Sequence, residues 1–270
     1  MYGVQLAFKN FIATKGITGS PWVGFKQFNR FFSSANFWRV IKNTVTINLY
    51  SLCVNFPVPI IFALMLNNVA HKRFKSFVQT VTYAPHFIST VVLVSMMLVF
   101  LSPRSGFINI ILKNYFGMEP IFFMAKNELF KTIYVFSGLW QNMGWAAIIY
   151  IAALTGIDRE LHEAAVVDGA NKIQRIIHID IPGIMPTMVT LLILNMGSIM
   201  NVGFEKVFLM QNSLNLEASE TISTYVYKVG LVGADFSYST AVGLFNSVIN
   251  FIMLLITNQL SKKVTEVGLF

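Results

Sequence analysis

The charged and polar residues that could act together in this chain lie in one interval, residues 163–186, between long apolar segments. They suit noncovalent docking better than catalysis, because the chain has neither a phosphate-binding glycine-rich loop nor a Gly-x-Ser-x-Gly elbow. The histidines at positions 71, 86, 162 and 178 lack metal-ligand spacing, and His162 beside Glu163 does not form the two-histidine helix pattern of zinc proteases. The sequence therefore predicts a docking element, and no active site, metal site or cofactor.

A short helix is expected to present the first part of this interval. Asp158 can cap it, and Glu160 lies in the first turn, where the helix dipole favours an anion. One apolar face follows at helical spacing, formed by Ile157, Leu161, Ala164 and Ala165. The two alanines make that face shallow, so that another surface can approach closely.

A turn and a second helix are predicted next. Asp168-Gly169 ends the first helix, because glycine readily adopts the left-handed conformation that closes a helix. Asn171 and Gln174 have the spacing of a capping box. The second helix carries isoleucines at 173, 176 and 177 and is expected to stop at Pro182, which lacks a backbone N–H.

The composition indicates a protein that crosses a membrane several times. Hydrophobic residues make up 55% of the chain, charged residues only 12%, and the mean hydropathy is +0.62, whereas soluble domains carry roughly 25% charged residues. The net charge of +8 does not indicate a nucleic-acid partner, because the basic residues cluster at the ends of apolar runs, where they orient spans. Cys53 is the only cysteine, which excludes a disulfide framework.

The long apolar runs predict an all-α membrane domain over residues 40–260, with about five spans of the length that a bilayer requires. The expected spans are Val40–Leu66 (kinked by Pro57 and Pro59), Phe77–Leu101 (interrupted by Pro85), Ile133–Leu154, Ile184–Phe204 and Ser239–Leu260. A longer polar loop, residues 205–237, precedes the last span. Basic residues at 71–75 and 262–263 place those ends in the cytoplasm. With alternation, the docking element and the tail, residues 261–270, are cytoplasmic too.

The region before the first span, residues 1–39, is basic and aromatic, with no acidic residue before Glu119. Its aromatic residues suit a position at the lipid headgroups: Phe25, Phe28, Phe31, Phe32 and Trp38. We therefore predict an interfacial segment. Five spans with a cytoplasmic C-terminus leave this basic region outside, which opposes the positive-inside rule.

The docking element resembles the EAA motif of the permeases of ATP-binding-cassette (ABC) importers. The motif is Glu-Ala-Ala, three residues, Gly, nine residues, Ile-x-Leu-Pro. Here it is Glu163-Ala164-Ala165, Gly169 and Ile179-Asp180-Ile181-Pro182, so that only the leucine is replaced, by Ile181. The alternative interpretation is an amphipathic connector between spans with no partner.

The resemblance implies the fold of type I (MetI-like) importer permeases and a coupling loop, residues 157–186, that docks on a cytoplasmic ABC ATPase dimer. The residues that would couple to the ATPase are Glu163, Ala164, Ala165, Asp168, Gly169, Ala170 and Pro182. It also implies a second homologous permease subunit in a heterodimer, an extracellular solute-binding lipoprotein, and a bacterial cytoplasmic membrane. ATP hydrolysis would occur on the separate ATPase, so this chain is not expected to be an enzyme.

Almost the whole chain is similar to the carbohydrate-uptake branch of these permeases, and most of all to LplB-like permeases for oligo- or polysaccharides. The similar segments are residues 19–32, 77–89, 144–158, 201–210 and 236–250. Related permeases usually have six or more spans, the first just before a segment like residues 1–11. We therefore expect that this sequence starts late and lacks a first span, and the alternative is a genuine five-span variant.

Polar residues within the spans are candidates for the solute pathway, because such residues tend to face a bundle interior or cavity. The selected residues are Trp140, Asn142, Asn195, Asn201, Asn246 and Asn250, with Asn48, Gln141 and Trp145 as further candidates. Tryptophans can stack on sugar rings. The alternative is that each asparagine hydrogen-bonds a neighbouring helix, and we expect His86 and the small residues Gly138, Gly144, Ala146 and Ala147 to be structural.

Two other functions remain open at this point. One is a membrane enzyme that acts on lipid-linked sugars, which would require acidic or histidine residues clustered at the membrane face. The other is a channel or secondary transporter that works without an ATPase. Association with an ATPase subunit, lost on altering Glu163 or Gly169, distinguishes the permease from both.

Overall fold

The computed structural model describes residues 2–265 and Gly268. Over this part of the chain there are fifteen α-helices and no β-strand, as the all-α prediction requires. The α-helices are α1 (Gly16–Gly19), α2 (Lys26–Phe32), α3 (Phe37–Asn55), α4 (Pro57–Asn67), α5 (Lys72–Tyr83), α6 (Thr90–Phe100), α7 (Phe107–Phe116), α8 (Asn127–Thr155), α9 (Arg159–Val167), α10 (Lys172–Arg175), α11 (Ile181–Met196), α12 (Phe204–Met210), α13 (Leu216–Ser219), α14 (Ile222–Tyr227) and α15 (Phe236–Thr265).

Shorter helical segments connect several of these helices. Four are 3₁₀-helices, at Tyr2–Phe8, Ala13–Lys15, Ala84–Phe87 and Phe123–Ala125, and two are π-helices, at Ile176–Asp180 and Lys228–Val232. Of the predicted cytoplasmic tail, residues 261–270, positions 266, 267, 269 and 270 lie outside the described residues.

Among the described residues, three helical stretches are long and apolar enough to cross a membrane: Phe37–Asn67, Lys172–Met196 and Phe236–Lys263. The count rises to four if Lys72–Phe87 and Thr90–Phe100 form one bent span. A helix satisfies its own backbone hydrogen bonds, which is why such segments can enter lipid. The predicted kink at Pro57 is the break between α3 and α4, where this proline occupies the start of α4.

The structure differs from the five-span prediction at three places. The second predicted span is broken after Phe87, because Pro85 lies in a 3₁₀-helix that ends α5. Helix α8 covers the third predicted span and has 29 residues, but Gln141 and Asn142 near its middle lower its hydropathy, and it is not among the candidate spans. The fourth predicted span ends early, since α11 stops at Met196 and Phe204 begins α12.

The helices form two compact units by contact, and the first contains Met1–Tyr50, Thr90–Tyr134 and Ser198–Met253. Its core is a cluster of buried apolar side chains from α3, α6, α8, α12 and the segments beside them: Ile47, Val94, Met97, Met124, Phe130, Val202, Val207 and Met210. Since lipid tails are as apolar as these side chains, close packing is the main force that holds such helices together.

The N-terminal aromatic residues of the first unit do not all lie on a surface. Phe25, Phe32 and Trp38 are exposed, but Phe31 is 0% exposed. Its ring packs edge-on against Phe37 and Phe245, at centroid distances of 5.0 and 5.6 Å. The predicted headgroup position is therefore wrong for Phe31, whose ring belongs to the protein interior.

The polar loop before the last span is ordered by buried polar contacts. Asn215 is fully buried and donates to the carbonyls of Met124 (2.8 Å) and Met210 (2.9 Å). The buried Glu220 carboxylate binds both Arg39 and Lys228. These contacts hold the loop, which contains α12–α14, against α3 and the start of α8.

The second unit contains Ser51–Ser89, Val135–Gly197 and Leu254–Phe270, and with them the docking element. Its buried core joins α4, α8 and α11 through Ile60, Ala63, Leu64, Ala147, Tyr150, Leu154 and Ile184. Helices α5 and α8 approach so closely at Gly144 that a Cβ there would overlap the carbonyl of Thr82. The close approach agrees with the predicted packing role of this glycine.

Candidate functional site

The docking element begins with a capped helix, as the sequence predicts. The backbone of Asp158 is extended, and its side chain accepts a hydrogen bond of 3.0 Å from the N–H of Glu160. A side-chain cap of this kind contributes roughly 1 kcal/mol. Because α9 has only nine residues, the cap matters: isolated helices of this length are marginal in water.

The predicted turn after α9 is confirmed at Asp168 and Gly169. Asp168 is the last residue near helical geometry, and Gly169 has a φ of +80°. The N–H of Ala170 then bonds the carbonyl of Ala165 at 2.8 Å, which satisfies a helix-end acceptor. A Cβ on Gly169 would meet nothing within 4 Å, so that glycine is favoured here by the backbone conformation alone.

The capping box that opens the second helix is also confirmed. The side chain of Asn171 accepts from the N–H of Gln174 (3.0 Å), and the Gln174 side chain accepts from the N–H of Asn171 (2.8 Å). The helix does not stop at Pro182, however, and that prediction is wrong. A π-turn at Ile176–Asp180 joins α10 to α11, and Lys172–Met196 forms one helical stretch of 25 residues.

The surface of the docking element exposes apolar side chains. Val167 is 87% exposed, and four more apolar residues are at least half exposed: Leu161, Val166, Ile173 and Ile177. Glu163, Ala164, Asp168 and Gly169 are also exposed, whereas Ala165 and Ala170 are half-buried. The motif indicates the alanines but not Val167, which protrudes because it is the last residue of α9, just before the turn.

A cleft of about 320 Å³ lies between the two arms of the docking element. It is lined by Ala165, Asp168, Gly169, Gln174, Arg175 and His178, among others. The Nε atom of Arg175 is buried and has no hydrogen-bond acceptor among the described residues. A buried donor of this kind is costly unless a partner supplies an acceptor.

Two of the pathway candidates come together in the second unit, with His86. The rings of Trp145 and His86 stack at 4.4 Å with an angle of 4° between them, and His86 Nδ1 lies 2.9 Å from Asn142 Oδ1. Gln141 on the same helix donates to the carbonyl of Ile88 at 2.7 Å. Trp145 keeps 46% of its surface exposed, so one cluster carries an accessible aromatic face beside amide groups.

The other two candidates of the second unit lie outside this cluster's contacts. Trp140 is half-exposed on α8. Asn195 donates to the carbonyl of Leu191 one turn earlier in α11, at 2.8 Å. That bond is the helix-internal contact that many polar residues make in spans.

The remaining candidates belong to the first unit and hold α15 to the chain near Asn201. Asn246 donates to Asn201 Oδ1 at 2.8 Å, and the buried Asn250 accepts from the N–H of Met200 at 2.9 Å. Asn48 donates to the carbonyl of Thr44 within its own helix. These contacts give Asn250 and Asn48 structural partners, whereas Asn201 and Asn246 form an amide pair in which Asn201 is exposed and Asn246 is half-buried.

One cationic side chain of the first unit is buried. Lys206 in α12 is 9% exposed, and its Nζ donates to the carbonyl of Tyr134 at 2.9 Å. It also lies 4.7 Å from the centre of that tyrosine ring. Burial lowers the pKa of Lys206 to about 8. No group of three or more potential metal ligands occurs among residues 2–265.

Comparison with known proteins identifies relatives of this chain. The sequence profile of a family described as "Binding-protein-dependent transport system inner membrane component" matches residues 55–266. A polygalacturonan/rhamnogalacturonan transport system permease protein, YteP of Bacillus subtilis (strain 168), is 43% identical over 270 residues, which are 100% of this chain and 84% of YteP. Protein LplB of the same organism is 41% identical over the same 270 residues and 85% of its own length.

Solved structures agree with these relatives. A chain in the crystal structure of a bacterial alginate ABC transporter, in complex with a periplasmic protein bound to an alginate pentasaccharide, superposes with a TM-score of 0.91. It is 39% identical, over 99% of this chain and 88% of that one. The capped docking helices, the left-handed glycine and these matches lead to one conclusion: the chain belongs to the family of binding-protein-dependent transport system inner-membrane components, and it is a transport permease.

Proposed function

We propose that this permease carries an oligo- or polysaccharide into the cell and that the docking element, residues 157–186, couples it to a cytoplasmic ATPase. In this proposal residues 163–170 insert into a cleft of the ATPase. Glu163 pairs with a basic group there, Ala164 and Ala165 allow close contact, and Gly169 makes the turn. The saccharide is supported by relatives named for polygalacturonan/rhamnogalacturonan and alginate transport.

The observation that carries the docking proposal is the exposed apolar surface on a small, well-capped element. Exposed apolar groups in a cluster mark interaction sites in soluble parts of proteins. Val167, Val166 and Leu161 lie on a helix that has only nine residues, yet Asp158 and the turn at Gly169 hold it in shape. A partner that covers these side chains would gain their burial without having to order the element.

The proposed mechanism is mechanical. When ATP closes the ATPase dimer, the docked elements of two permease subunits move together and rock the spans between inward-open and outward-open states, a rigid-body transition. The 25-residue stretch Lys172–Met196 joins the docking element to a span without a loop. The proposed complex contains this chain, a second homologous permease, two ATPase subunits and an extracellular solute-binding lipoprotein.

Chemical labelling tests which side of the membrane the docking element occupies. The only native cysteine, Cys53, is exposed, so it is first replaced by serine. Val167→Cys should then react with a membrane-impermeant maleimide only in inside-out vesicles. Tyr115 is 81% exposed and lies between the second and third predicted spans, in the loop that alternation places outside the cell. Tyr115→Cys should react only in right-side-out cells. Reaction of the residue-167 variant in intact cells would refute the docking proposal.

Co-purification tests the partner itself. Val167→Asp places a charge at the centre of the proposed contact, and we expect the apparent affinity for the ATPase subunit to fall about 30-fold, the effect of a typical interface hot spot of about 2 kcal/mol. Tyr115→Asp is the matched control and should bind normally. An ATPase subunit that is never recovered with the wild-type permease would favour an ATPase-independent channel or a membrane enzyme.

We also propose that His86, Asn142 and Trp145 contact the solute in the pathway. Polar and ionisable groups within a membrane protein commonly mark substrate paths, and discontinuous helices commonly form the sites. His86 lies at the end of α5, where the helix gives way to a 3₁₀ turn, and Trp145 offers an exposed ring for a sugar to stack on. Trp140, Asn195, Asn201, Asn246 and Asn250 remain weaker candidates, because the structure shows no exposed aromatic ring stacked beside their amide groups.

Uptake measurements test this pathway. With labelled alginate and polygalacturonan oligosaccharides as probes, Trp145→Leu should lower uptake about tenfold, since stacking of roughly 1.4 kcal/mol is lost. Trp145→Phe should retain most of it. Trp38→Leu is the control, because Trp38 is an exposed tryptophan on α3. Equal uptake by Trp145→Leu and the wild type, with a probe that the wild type imports, would remove this residue from the pathway.

A further inference from the structure

A buried carboxylate lies where the docking element meets the span that follows it. Asp180 is the last residue of the π-turn and is only 2% exposed. It occupies the variable position of the Ile179-Asp180-Ile181-Pro182 motif, to which the sequence analysis assigned no role. Neither the proposed ATPase contact nor the proposed solute pathway uses this side chain.

Three other elements of the second unit supply polar groups to Asp180. The Nε2 atom of His162, in the middle of α9, lies 3.3 Å from Asp180 Oδ1. The Asn68 side chain, at the C-terminal cap of α4, and the positive charge of Arg175 in α10 are both close enough to act on the carboxylate. Asn68 also donates to the carbonyl of Leu64 at 3.0 Å, which fixes its orientation.

A second contact joins the same two arms of the element on its apolar side. The Cα of Gly183 in α11 faces Ile157, which precedes α9, so closely that a Cβ would lie 2.6 Å from Ile157 Cδ1. Ile157 and Ile181 also pack against the core of the second unit. The docking helix therefore meets the start of α11 at two points, one apolar and one polar.

The polar contact is not needed for stability alone. Burying a carboxylate costs free energy, and an apolar pair of similar size is often as stable as a buried polar one or more so. A polar contact is more directional than an apolar one, because it holds over a narrower range of geometry. An element that only had to stay folded could use the apolar contact at Gly183 and Ile157.

We propose that His162 and Asp180 are positioning residues that fix the docking helix to the span, so that movement of the docked helix is transmitted to α11 and, through Asn68, to α4. Neither residue touches the ATPase or the solute in this proposal. This proposal rests on the proposed function, because the ATPase starts the movement. The two residues lie behind the docking surface and transmit that movement. Substitution of either residue therefore leaves docking intact and uncouples it from the spans.

The test separates docking from transmission in the complete complex, reconstituted in nanodiscs with the partner permease and the ATPase dimer. Docking is read as the amount of ATPase retained on the purified complex. Transmission is read from Ile149→Cys in the Cys53→Ser background, a half-exposed position on α8, as the change in its maleimide labelling rate on adding ATP and vanadate. This readout does not require a known saccharide.

We expect Asp180→Asn and His162→Ala to retain the ATPase. Their ATP-dependent change in labelling rate should be about tenfold smaller than that of the wild type, which is equivalent to roughly 1.4 kcal/mol of coupling. The double variant should be no worse than either single one, because both remove the same interaction. His162→Gln keeps the size and a donor, and should restore part of the change. His71→Ala, at an exposed histidine that provides no side-chain cap to α5, is the control and should behave as the wild type.

Each outcome assigns a cause. If both Asp180→Asn and His162→Ala show a labelling change as large as that of the wild type, the positioning role is overturned. Additive losses in the double variant would overturn it too. Both outcomes leave the docking proposal intact. Absence of ATPase from the wild-type complex would instead refute the proposed function. If His162→Ala does not assemble, His162→Gln decides: an assembled complex with a partly reduced response supports the pair, and a full response overturns it.

Discussion

The left-handed turn at Gly169 gives the sharpest prediction about docking. Gly169→Ala adds a Cβ that meets nothing within 4 Å, but the residue has a φ of +80°. For a residue other than glycine this conformation costs about 1–2 kcal/mol. The turn that presents residues 163–168 therefore becomes less populated by a factor of about 5–30, and the apparent affinity for the ATPase should fall by the same factor.

A matched control is available in another part of the chain. Gly117 caps the end of α7 with a φ of +62°, and a Cβ there also meets nothing within 4 Å. Gly117→Ala carries the same backbone cost but lies in the predicted outer loop. Both variants should reach the membrane in wild-type amounts, since a local cost of this size is small for a long helical protein.

The assay is a titration of the purified permease complex in detergent with the labelled ATPase subunit. Wild type and Gly117→Ala should give the same dissociation constant, and Gly169→Ala a constant about 5–30-fold higher. Two results would refute the reasoning. One is an unchanged constant for Gly169→Ala, which would show that the turn does not present the docking surface. The other is an equal loss in both variants, which would point to a global effect.

Three further predictions concern a close helix contact, a buried lysine and a buried asparagine. The Cβ of Gly144→Ala would overlap the carbonyl of Thr82. Because such overpacking costs about 1–3 kcal/mol, this variant should lower the yield of folded protein. Gly243→Ala is the control and should not, since its Cβ would meet open space. Burial lowers the pKa of Lys206 in the folded state to about 8, against an ordinary 10.5. Between pH 8 and 10.5 the unfolded state therefore binds more protons than the folded state. The free energy of unfolding should rise with pH across this window. Lys206→Met should abolish that rise in a thermal melt from pH 7.5 to 9.5. Asn215→Ala removes the side-chain donor to the buried carbonyl of Met210, whereas the carbonyl of Met124 keeps a donor in Asn212. The variant should cost roughly 1–3 kcal/mol, measured as a lower melting temperature in detergent.

Local chemistry explains why the docking element could be predicted in detail. A cap at Asp158, a capping box at Asn171 and Gln174, and a left-handed Gly169 each depend on residues within four positions of one another. Such signals survive in any tertiary context, because the atoms that make the bonds are neighbours in the chain. The all-α class follows for a related reason, since long apolar runs have few alternatives in lipid.

Tertiary packing explains why other features could not be predicted. Phe31 and Phe32 are adjacent in sequence and both contact Phe245, more than 200 residues away, yet only Phe31 is fully buried. The ring of Phe31 also packs against Tyr238. The cluster of His86 with Trp145 joins residues from two helices. Nothing in the spacing along either helix indicates that these two rings stack.

In the candidate site, too, some residues could be selected from a local motif and others depend on the three-dimensional packing. The motif selected Glu163, Ala164 and Gly169, and the structure places them together on one exposed element. It did not select Val167, Arg175 or Asp180. Val167 matters because its side chain is exposed, Arg175 because its buried Nε has no acceptor among the described residues, and Asp180 because it is buried. An aspartate in a polar interval would ordinarily be assigned to the surface. Only the three-dimensional neighbours of Asp180 show that it is interior.

The misjudged proline shows how the motif can transmit force. Pro182 has no N–H, so it cannot form the α-helical bond to the carbonyl of His178. The chain does not break there; instead the N–H of Ile181 bonds the carbonyl of Ile176, five residues back, and the helix continues as α11. A loop at this place would absorb any displacement of the docking helix. A π-turn keeps the stretch continuous, so that the contact between His162 and the buried Asp180 joins the docking helix to a rigid segment.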